Sequence, residues 1–357
     1  MAARPSSEPV IDVHAHHFAA DLPDFVASSG DARWPSLVVD VDRTRGRIML
    51  GDQQFRAVSP PLWDRDARLA AMDAAGVTVQ LVSPVPIMLT YWAEPRLGHE
   101  FARAVNDSIA EEVRAAEGRL RGLGTVPLQD PALAIAELRR LTSELGLDGV
   151  EIGTHAAGLE LDDPAFGEFW AEAEACGAAV FIHPLDGGGD AIRRRGVPYD
   201  FGLGMLTDTA MAAVALLNGG VLDRHPALRV CLAHGCGTFA WAFPRLRLGS
   251  QLGADPTVVD RYADLARRLW VDSLVFDPVH VGLLVERFGV EHVMVGTDYP
   301  FVPGQLEGAR AWVDECASVN LLDDDGRRGL AAANATRFLD AALLASPTAV
   351  TEPSRAI

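Results

Sequence analysis

The sequence of 357 residues contains no lysine, so all 31 of its basic side chains are arginine, against 49 Asp and Glu. The net charge of −18 and a pI near 4.9 argue against nucleic acid or an anionic membrane as the main partner, because both would be repelled. Cysteine is also scarce: the four present form no CxxC pair, which argues against a disulfide framework.

Long apolar runs are missing as well. No uninterrupted apolar stretch approaches the roughly 18 residues that span a bilayer, and the run at 210–217 is followed at once by Asn218 and two glycines. The first nine residues lack the apolar core of a secretory signal. Apolar residues still make up 49% of the chain, which is enough for a large buried core. The sequence therefore predicts a soluble cytoplasmic globular protein.

What the chain does contain is a regular alternation of short strand patterns with amphipathic helix patterns. Several strand patterns are almost continuously apolar, which is typical of parallel strands buried on both faces. Eight such units predict an α/β fold, a (β/α)8 TIM barrel in one domain over 9–340, whereas the strand count disfavours a doubly wound sheet. The predicted strands are Val10–His16, Val79–Pro84, Gly122–Pro127, Gly149–Thr154, Ala179–Pro184, Arg229–His234, Leu269–Leu274 and Val293–Asp298.

Two segments depart from this alternation. Within 36–58, three short strand-like runs are separated by Thr-Arg-Gly and Gly-Asp-Gln turns. This pattern predicts a small antiparallel sheet inserted after the first barrel strand. The last segment, 341–357, is polar at its end and contains Pro347 and Pro353, and we predict that it is a flexible tail.

Three of the predicted strands end in histidine or aspartate, residue types that commonly bind metal ions. The first ends in His14-Ala-His16, and residues i and i+2 of a strand project from the same face. His183 ends the fifth strand and Asp298 ends the eighth, at the edge where such barrels carry their active sites. Imidazole and carboxylate ligands suit Zn²⁺, with Mn²⁺ as the alternative. We therefore predict a mononuclear site of these four residues with one open position.

A further histidine, His234, ends the sixth strand. A metal ion lowers the pKa of its water toward about 7, and catalysis then needs a proton carrier that is not itself a ligand. We assign this acid/base role to His234, with a ligand role as the alternative. Asp272, at the end of the seventh strand, and Asp12, with the strand parity of His14 and His16, are candidate supporting carboxylates.

These motifs resemble the amidohydrolase-related metal-dependent decarboxylases, and among them the 2-amino-3-carboxymuconate-6-semialdehyde decarboxylases. The resemblance runs from about Ile11 to Phe338. It implies that the family's zinc ligands match the four residues above and that its acid/base histidine matches His234. The motifs that carry it are Asp-Val-His-Ala-His at 12–16, Phe-Arg-Ala-Val at 55–58, Ile-Gly-Thr-His at 152–155, Ala-His-Gly at 233–235 and Gly-Thr-Asp-Tyr-Pro-Phe at 296–301.

The resemblance also implies substrate-binding residues and a partner. The family binds the carboxylates of its substrate with two arginines. These match Arg56, on the inserted sheet, and Arg245, which in a homodimer reaches into the neighbouring subunit's site. Planar guanidinium groups suit a dicarboxylate, although without the resemblance Arg56 is more readily interpreted as a surface residue. His155 either hydrogen-bonds the substrate or has a supporting or loop role.

The implied reaction is decarboxylation of an aminocarboxymuconate semialdehyde or a related unsaturated or aromatic carboxylate. Metal-bound hydroxide and His234 would carry it out without an organic cofactor. The alternatives are a hydrolase or hydratase acting on a C–N or C–C bond, or a non-catalytic metal-stabilised barrel. Because the chain has no lysine, it lacks the carbamylated lysine of hydrolytic relatives that hold two metal ions. The sequence departs from the family pattern between Leu185 and Asp208, in the predicted pocket wall.

Overall fold

The computed structural model describes residues 8–252 and 260–340, so the predicted tail at 341–357 lies outside the described residues. Strands and helices alternate along most of this length. The strands are β1 (Ile11–His17), β2 (Pro35–Val39), β3 (Gly46–Leu50), β4 (Gln53–Val58), β5 (Val79–Pro84), β6 (Leu120–Gly124), β7 (Gly149–Gly153), β8 (His155–Ala156), β9 (Leu159–Glu160), β10 (Ala179–His183), β11 (Arg229–Leu232), β12 (Trp270–Asp272) and β13 (Val293–Met294).

The helices follow most barrel strands, and several begin with recognisable capping residues. Aspartate side chains cap α2, α4 and α11 by accepting a hydrogen bond from an N–H of the first turn. The helices are α1 (Phe25–Ser29), α2 (Arg65–Ala75), α3 (Pro95–Ala115), α4 (Pro131–Ser143), α5 (Gly167–Ala175), α6 (Met205–Asn218), α7 (Val221–Arg224), α8 (Ala233–Cys236), α9 (Phe239–Gln251), α10 (Tyr262–Ala266), α11 (Pro278–Phe288), α12 (Gln305–Val319), α13 (Asp324–Arg328) and α14 (Asn334–Leu339).

Eight parallel strands form one sheet, in the order β1-β5-β6-β7-β10-β11-β12-β13. The sheet curls until its ends meet, because Asp12 bridges to Val295 and Ala15 to Tyr299. Both faces are apolar, as expected of parallel strands: Val180 and Ile182 pack in the outer core, whereas Phe181 packs inside the barrel. The predicted (β/α)8 barrel is therefore confirmed.

The barrel is closed at one end by its last described helix. Phe338 and Leu339 of α14 pack into the interior cluster, and the Phe338 ring lies 5.6 Å from the ring of Trp270, the first residue of β12. This end is the one at which the strands begin. The opposite end, where the strands finish, is left for a functional site.

The inserted sheet is also present as predicted. Strands β2, β3 and β4 form an antiparallel sheet in that order, between β1 and β5 along the chain. Ile48 is fully buried within the sheet, whereas most of β4 is exposed. Strand β4 carries Arg56.

One helical stretch is longer than the apolar run at 210–217 predicts. A π-helical turn, Asp200–Gly204, precedes α6, and together they form a 19-residue segment with a mean hydropathy of 1.3, enough by length and composition for a candidate membrane span. Of its most apolar 18-residue stretch, 44% is buried in the fold. The helix packs against α9, and its buried Asp208 accepts a hydrogen bond from Thr154. Such packing is typical of a core helix in a globular domain.

Candidate metal centre and active site

Three imidazoles and one carboxylate converge where the barrel strands end. His14 and His16 come from β1, His183 ends β10 and Asp298 follows β13; each offers one ligand atom, and these atoms lie within 4.8 Å of one another. The Nε2 atoms of His14 and His183 are buried without a hydrogen-bond partner, which is costly unless an ion occupies the space between the rings. Ligand atoms that each lie about 2.0–2.2 Å from one ion are at most about 4.4 Å apart, which is close to this spacing. The four residues therefore fit one divalent ion.

The other ring nitrogens hold the imidazoles in place. His14 Nδ1 donates to Asp272 Oδ2 at 2.7 Å, and the Nδ1 atoms of His16 and His183 each donate to a backbone carbonyl at 2.9 Å. A donor at Nδ1 leaves the lone pair of each ring on Nε2. In its neutral form each of the three rings would therefore present Nε2 to a metal ion.

The charges of the cluster also suit a cation. Burial would raise the pKa of Asp298, but the nearby His16 and His14 rings lower it, so this group is a carboxylate; its Oδ1 lies 3.1 Å from His16 Nε2. Burial lowers the pKa of His183 well below its usual value, so that ring is neutral. For His14, the hydrogen bond and charge of Asp272 outweigh burial and raise the pKa to about 9. Metal binding would therefore displace a proton from His14.

We expect metal ions to stabilise the fold through this cluster. After removal of bound metal with a chelator, addition of Zn²⁺ or Mn²⁺ at 100 times its Kd should raise the free energy of unfolding by about 2.7 kcal/mol. The measurement is thermal or denaturant unfolding with and without metal. His183→Ala should abolish the response, whereas His280→Ala, on the exposed surface of α11, should retain it. An identical response in both variants would contradict the assigned ligands.

His234 lies beside the four ligands. Its ring centroid is 5.2 Å from that of His14 and 5.1 Å from that of His183, and the side chain is buried. Burial and the neighbouring His14 lower its pKa to about 4, so the ring is neutral and can accept a proton. Its backbone has a φ of 56°, in the left-handed region that non-glycine residues rarely occupy. This strained backbone is consistent with a functional role, and the acid/base assignment stays a prediction.

Two buried charged residues near the cluster were not among the site residues predicted from the sequence. Glu151, inside β7, is fully buried with neither carboxylate oxygen hydrogen-bonded, and burial raises its pKa to about 6 against the attraction of His16. Arg68 is almost fully buried and donates to the His16 carbonyl and to Gln80. The available signal for Glu151 was an acidic residue within an otherwise apolar strand, Gly-Val-Glu-Ile-Gly.

The predicted substrate-binding residues lie at different distances from this centre. Arg56 donates to the Phe301 carbonyl at 3.0 Å and lies 4.6 Å over the Phe301 ring, which is itself 5.5 Å from the His16 ring. His155 is partly exposed, with Nε2 3.9 Å from Asp190 Oδ2. Arg245 lies on the outer surface of α9. The structure therefore brings Arg56 to the centre through Phe301, whereas the described contacts of the other two residues do not include a metal-cluster residue.

Comparison with known proteins gives the family of the chain. Residues 11–341 match the Amidohydrolase family. The chain is 36% identical over 321 residues to the 2-amino-3-carboxymuconate-6-semialdehyde decarboxylase of Dictyostelium discoideum, covering 87% of this chain and 89% of that protein. It is 31% identical over 390 residues to the protein of the same name from Caenorhabditis elegans, covering 92% and 94%.

A solved structure extends the comparison to the fold. The 5-carboxyvanillate decarboxylase from Sphingomonas paucimobilis aligns with a TM-score of 0.75 and 26% identity, over 93% of this chain and 99% of that one. The chain belongs to the amidohydrolase family. Together with the cluster of His14, His16, His183 and Asp298, these decarboxylase relatives identify it as a metal-dependent carboxy-lyase of the amidohydrolase superfamily.

Proposed function

We propose that the protein decarboxylates 2-amino-3-carboxymuconate-6-semialdehyde or a related unsaturated or aromatic carboxylate. The observation that carries this proposal is the joint placement of three features at one end of the barrel: a metal-binding cluster, the neutral His234, and Arg56 over Phe301. The name shared by the relatives from Dictyostelium and Caenorhabditis supports this substrate class.

Each side chain has a distinct task in the proposed reaction. A divalent ion, for which we propose Zn²⁺ with Mn²⁺ as the alternative, would supply an activated water and positive charge when held by the four ligands. His234 takes a proton at its ring and returns it to the substrate carbon, since its ring is neutral and lies beside the cluster. Arg56 binds a substrate carboxylate. Phe301, between Arg56 and His16, offers a flat apolar surface to a conjugated chain or ring.

We also propose that the working unit is a homodimer formed through α9. Trp241 is 84% exposed and Leu248 57%, and their spacing along α9 places them on one stripe that also contains Arg245. Leu252, 74% exposed, follows directly after the end of the helix. Exposed apolar stripes of this kind usually pack against another protein surface. A second copy is the occupant we favour, because a two-fold axis would pair this stripe with itself and direct each Arg245 toward the other subunit.

The proposed setting is the cytoplasm. All four cysteines, Cys176, Cys231, Cys236 and Cys316, are free. A reducing compartment is where unpaired cysteines are common.

The direct test is CO₂ release from enzymatically generated aminocarboxymuconate semialdehyde by the purified protein loaded with Zn²⁺ or Mn²⁺. We expect CO₂ and substrate loss in equal amounts, with a chelator-treated sample as the control. Substrate loss without CO₂ would instead favour the hydrolase or hydratase. No reaction with either ion would overturn this substrate, and 5-carboxyvanillate would then be tested as an aromatic carboxylate.

Arg56 gives a second prediction about the same site. Replacing it with methionine removes a charge-assisted hydrogen-bond donor to the carboxylate, so kcat/KM should fall by about 10- to 100-fold with most of the loss in KM. The measurement is steady-state kinetics with the same substrate. Arg47→Met is the matched control, because Arg47 lies on the adjacent strand β3 and pairs only at the surface, with Asp40 at 3.5 Å. Equal losses in the two variants would contradict substrate binding by Arg56.

A further inference from the structure

One buried carboxylate, that of Asp272, accepts hydrogen bonds from both the metal ligand His14 and the proposed acid/base residue His234. Asp272, the last residue of β12, is fully buried and accepts four hydrogen bonds. One comes from the imidazole of His14, at 2.7 Å, and two come from the backbone N–H groups of His234 and Gly235, each at 2.9 Å. The fourth comes from the N–H of Leu274 at 3.0 Å.

The backbone that carries His234 depends on this acceptor. His234, Gly235, Cys236 and Gly237 have φ values of 56°, 62°, 64° and 57°, so four successive residues are in the left-handed region. Consecutive N–H groups of an unusual turn can form a concave site for an anion, and here the first two N–H groups meet the Asp272 carboxylate. Without it, two buried N–H groups would lose their acceptor in a turn that is already strained.

We propose that Asp272 is a positioning residue that sets the metal ligand His14 and the acid/base residue His234 relative to each other. One of its oxygens, Oδ2, accepts hydrogen bonds from both His14 Nδ1 and His234 N. Replacing this oxygen would therefore alter the positions of both residues. The role at His14 concerns metal binding in general, whereas the role at His234 rests on the proposed decarboxylation.

A second aspartate provides a matched control. Asp12 is also fully buried and also accepts four hydrogen bonds, from His14 N, Gln80 Nε2, Thr297 N and Thr297 Oγ1. It contacts the backbone of His14 but neither the His14 imidazole nor the turn of His234 in these bonds. Asp12→Asn and Asp272→Asn therefore perturb equally buried networks and differ in the group that is positioned.

The first measurement is metal affinity, by competition with a chelator and without any substrate. An amide at position 272 would present one oxygen and one NH₂ to four donors, so the Kd for Zn²⁺ should rise by about 10- to 100-fold. For Asp12→Asn we expect a smaller rise in Kd at a similar loss of stability, because Asp12 contacts the backbone of His14 and not its imidazole. Equal changes in Kd for the two variants would overturn a positioning role at His14. If Asp272→Asn does not fold, Asp272→Ser applies the same test with a smaller side chain.

The second measurement is kcat at saturating metal, made both in the chain that retains His234 and in a chain that carries His234→Ala. Asp272→Asn should lower kcat by about 10- to 100-fold in the otherwise intact chain. In a His234→Ala background it should cause no further loss, because the effect passes through that side chain. Independent, multiplicative losses would overturn the link to His234. Because the affinity measurement uses no substrate, it tests the link to His14 even if CO₂ release fails.

Discussion

His234→Ala is expected to lower kcat by about 10²- to 10⁴-fold and to leave the bound metal unchanged. The size of the loss is that of a general acid/base group. The metal should remain because the four ligand atoms of His14, His16, His183 and Asp298 form a cluster without His234. The measurements are steady-state decarboxylation and elemental analysis of the purified variant.

The control for this variant is His183→Ala. Removing a ligand should lower metal content and activity together, whereas removing His234 should separate the two. Loss of metal from His234→Ala, measured side by side with the wild-type protein, would make His234 a ligand and leave the acid/base role to another group. Glu151 would then be examined first, because both of its oxygens are unpaired and it is fully buried near His16.

Heterodimers of two inactive variants are expected to regain about half of the wild-type activity. In a subunit that carries His234→Ala paired with one that carries Arg245→Ala, one site lacks both groups, and the other has both. This result follows from a two-fold dimer in which Arg245 serves the partner's site. Differently tagged subunits would be coexpressed, and the mixed dimer isolated by two affinity steps before its decarboxylase activity is measured.

One further pairing and one single variant serve as controls for this experiment. His234→Ala with His16→Ala should give no recovery, because each mixed dimer then has one defective residue in each site. Arg247→Ala, two residues from Arg245 on α9 and paired with Asp260 at 2.6 Å, should remain active by itself. An inactive mixed dimer of the first pair, or a monomer in sedimentation experiments, would rule out Arg245 acting across the interface.

The arrangement of the metal cluster could be predicted because strand geometry is regular. A His-x-His pair at a strand end has only one face on which both rings can meet an ion, and parallel strands bring His183 to the same edge. The strand ends were less predictable. Strand β13 finishes at Met294, four residues before Asp298, whose φ of 53° belongs to a turn rather than to extended chain. Such a turn is set by contacts with neighbouring strands.

The positions of Glu151 and Arg68 near the metal cluster could not be predicted from the sequence. The apolar residues beside Glu151 indicate that it is buried but not what it faces. Arg68 contacts the carbonyl of His16 from a helix about fifty residues away, so its neighbours along the chain do not indicate this contact. The helix that contains the apolar run at 210–217 extends back to the π-helical turn at Asp200, an extension that the run itself does not predict.

The way in which the barrel closes has a consequence for its biosynthesis. The first strand pairs with residues 295 and 299, and the floor of the barrel is filled by Phe338 and Leu339. A growing polypeptide can form successive βα units as they leave the ribosome, but it cannot shield Trp270 or complete the sheet until the segment through Leu339 has been translated. Until then the first strand lacks its pairing with residues 295 and 299, and the apolar interior of the barrel is open at the end that Phe338 and Leu339 close.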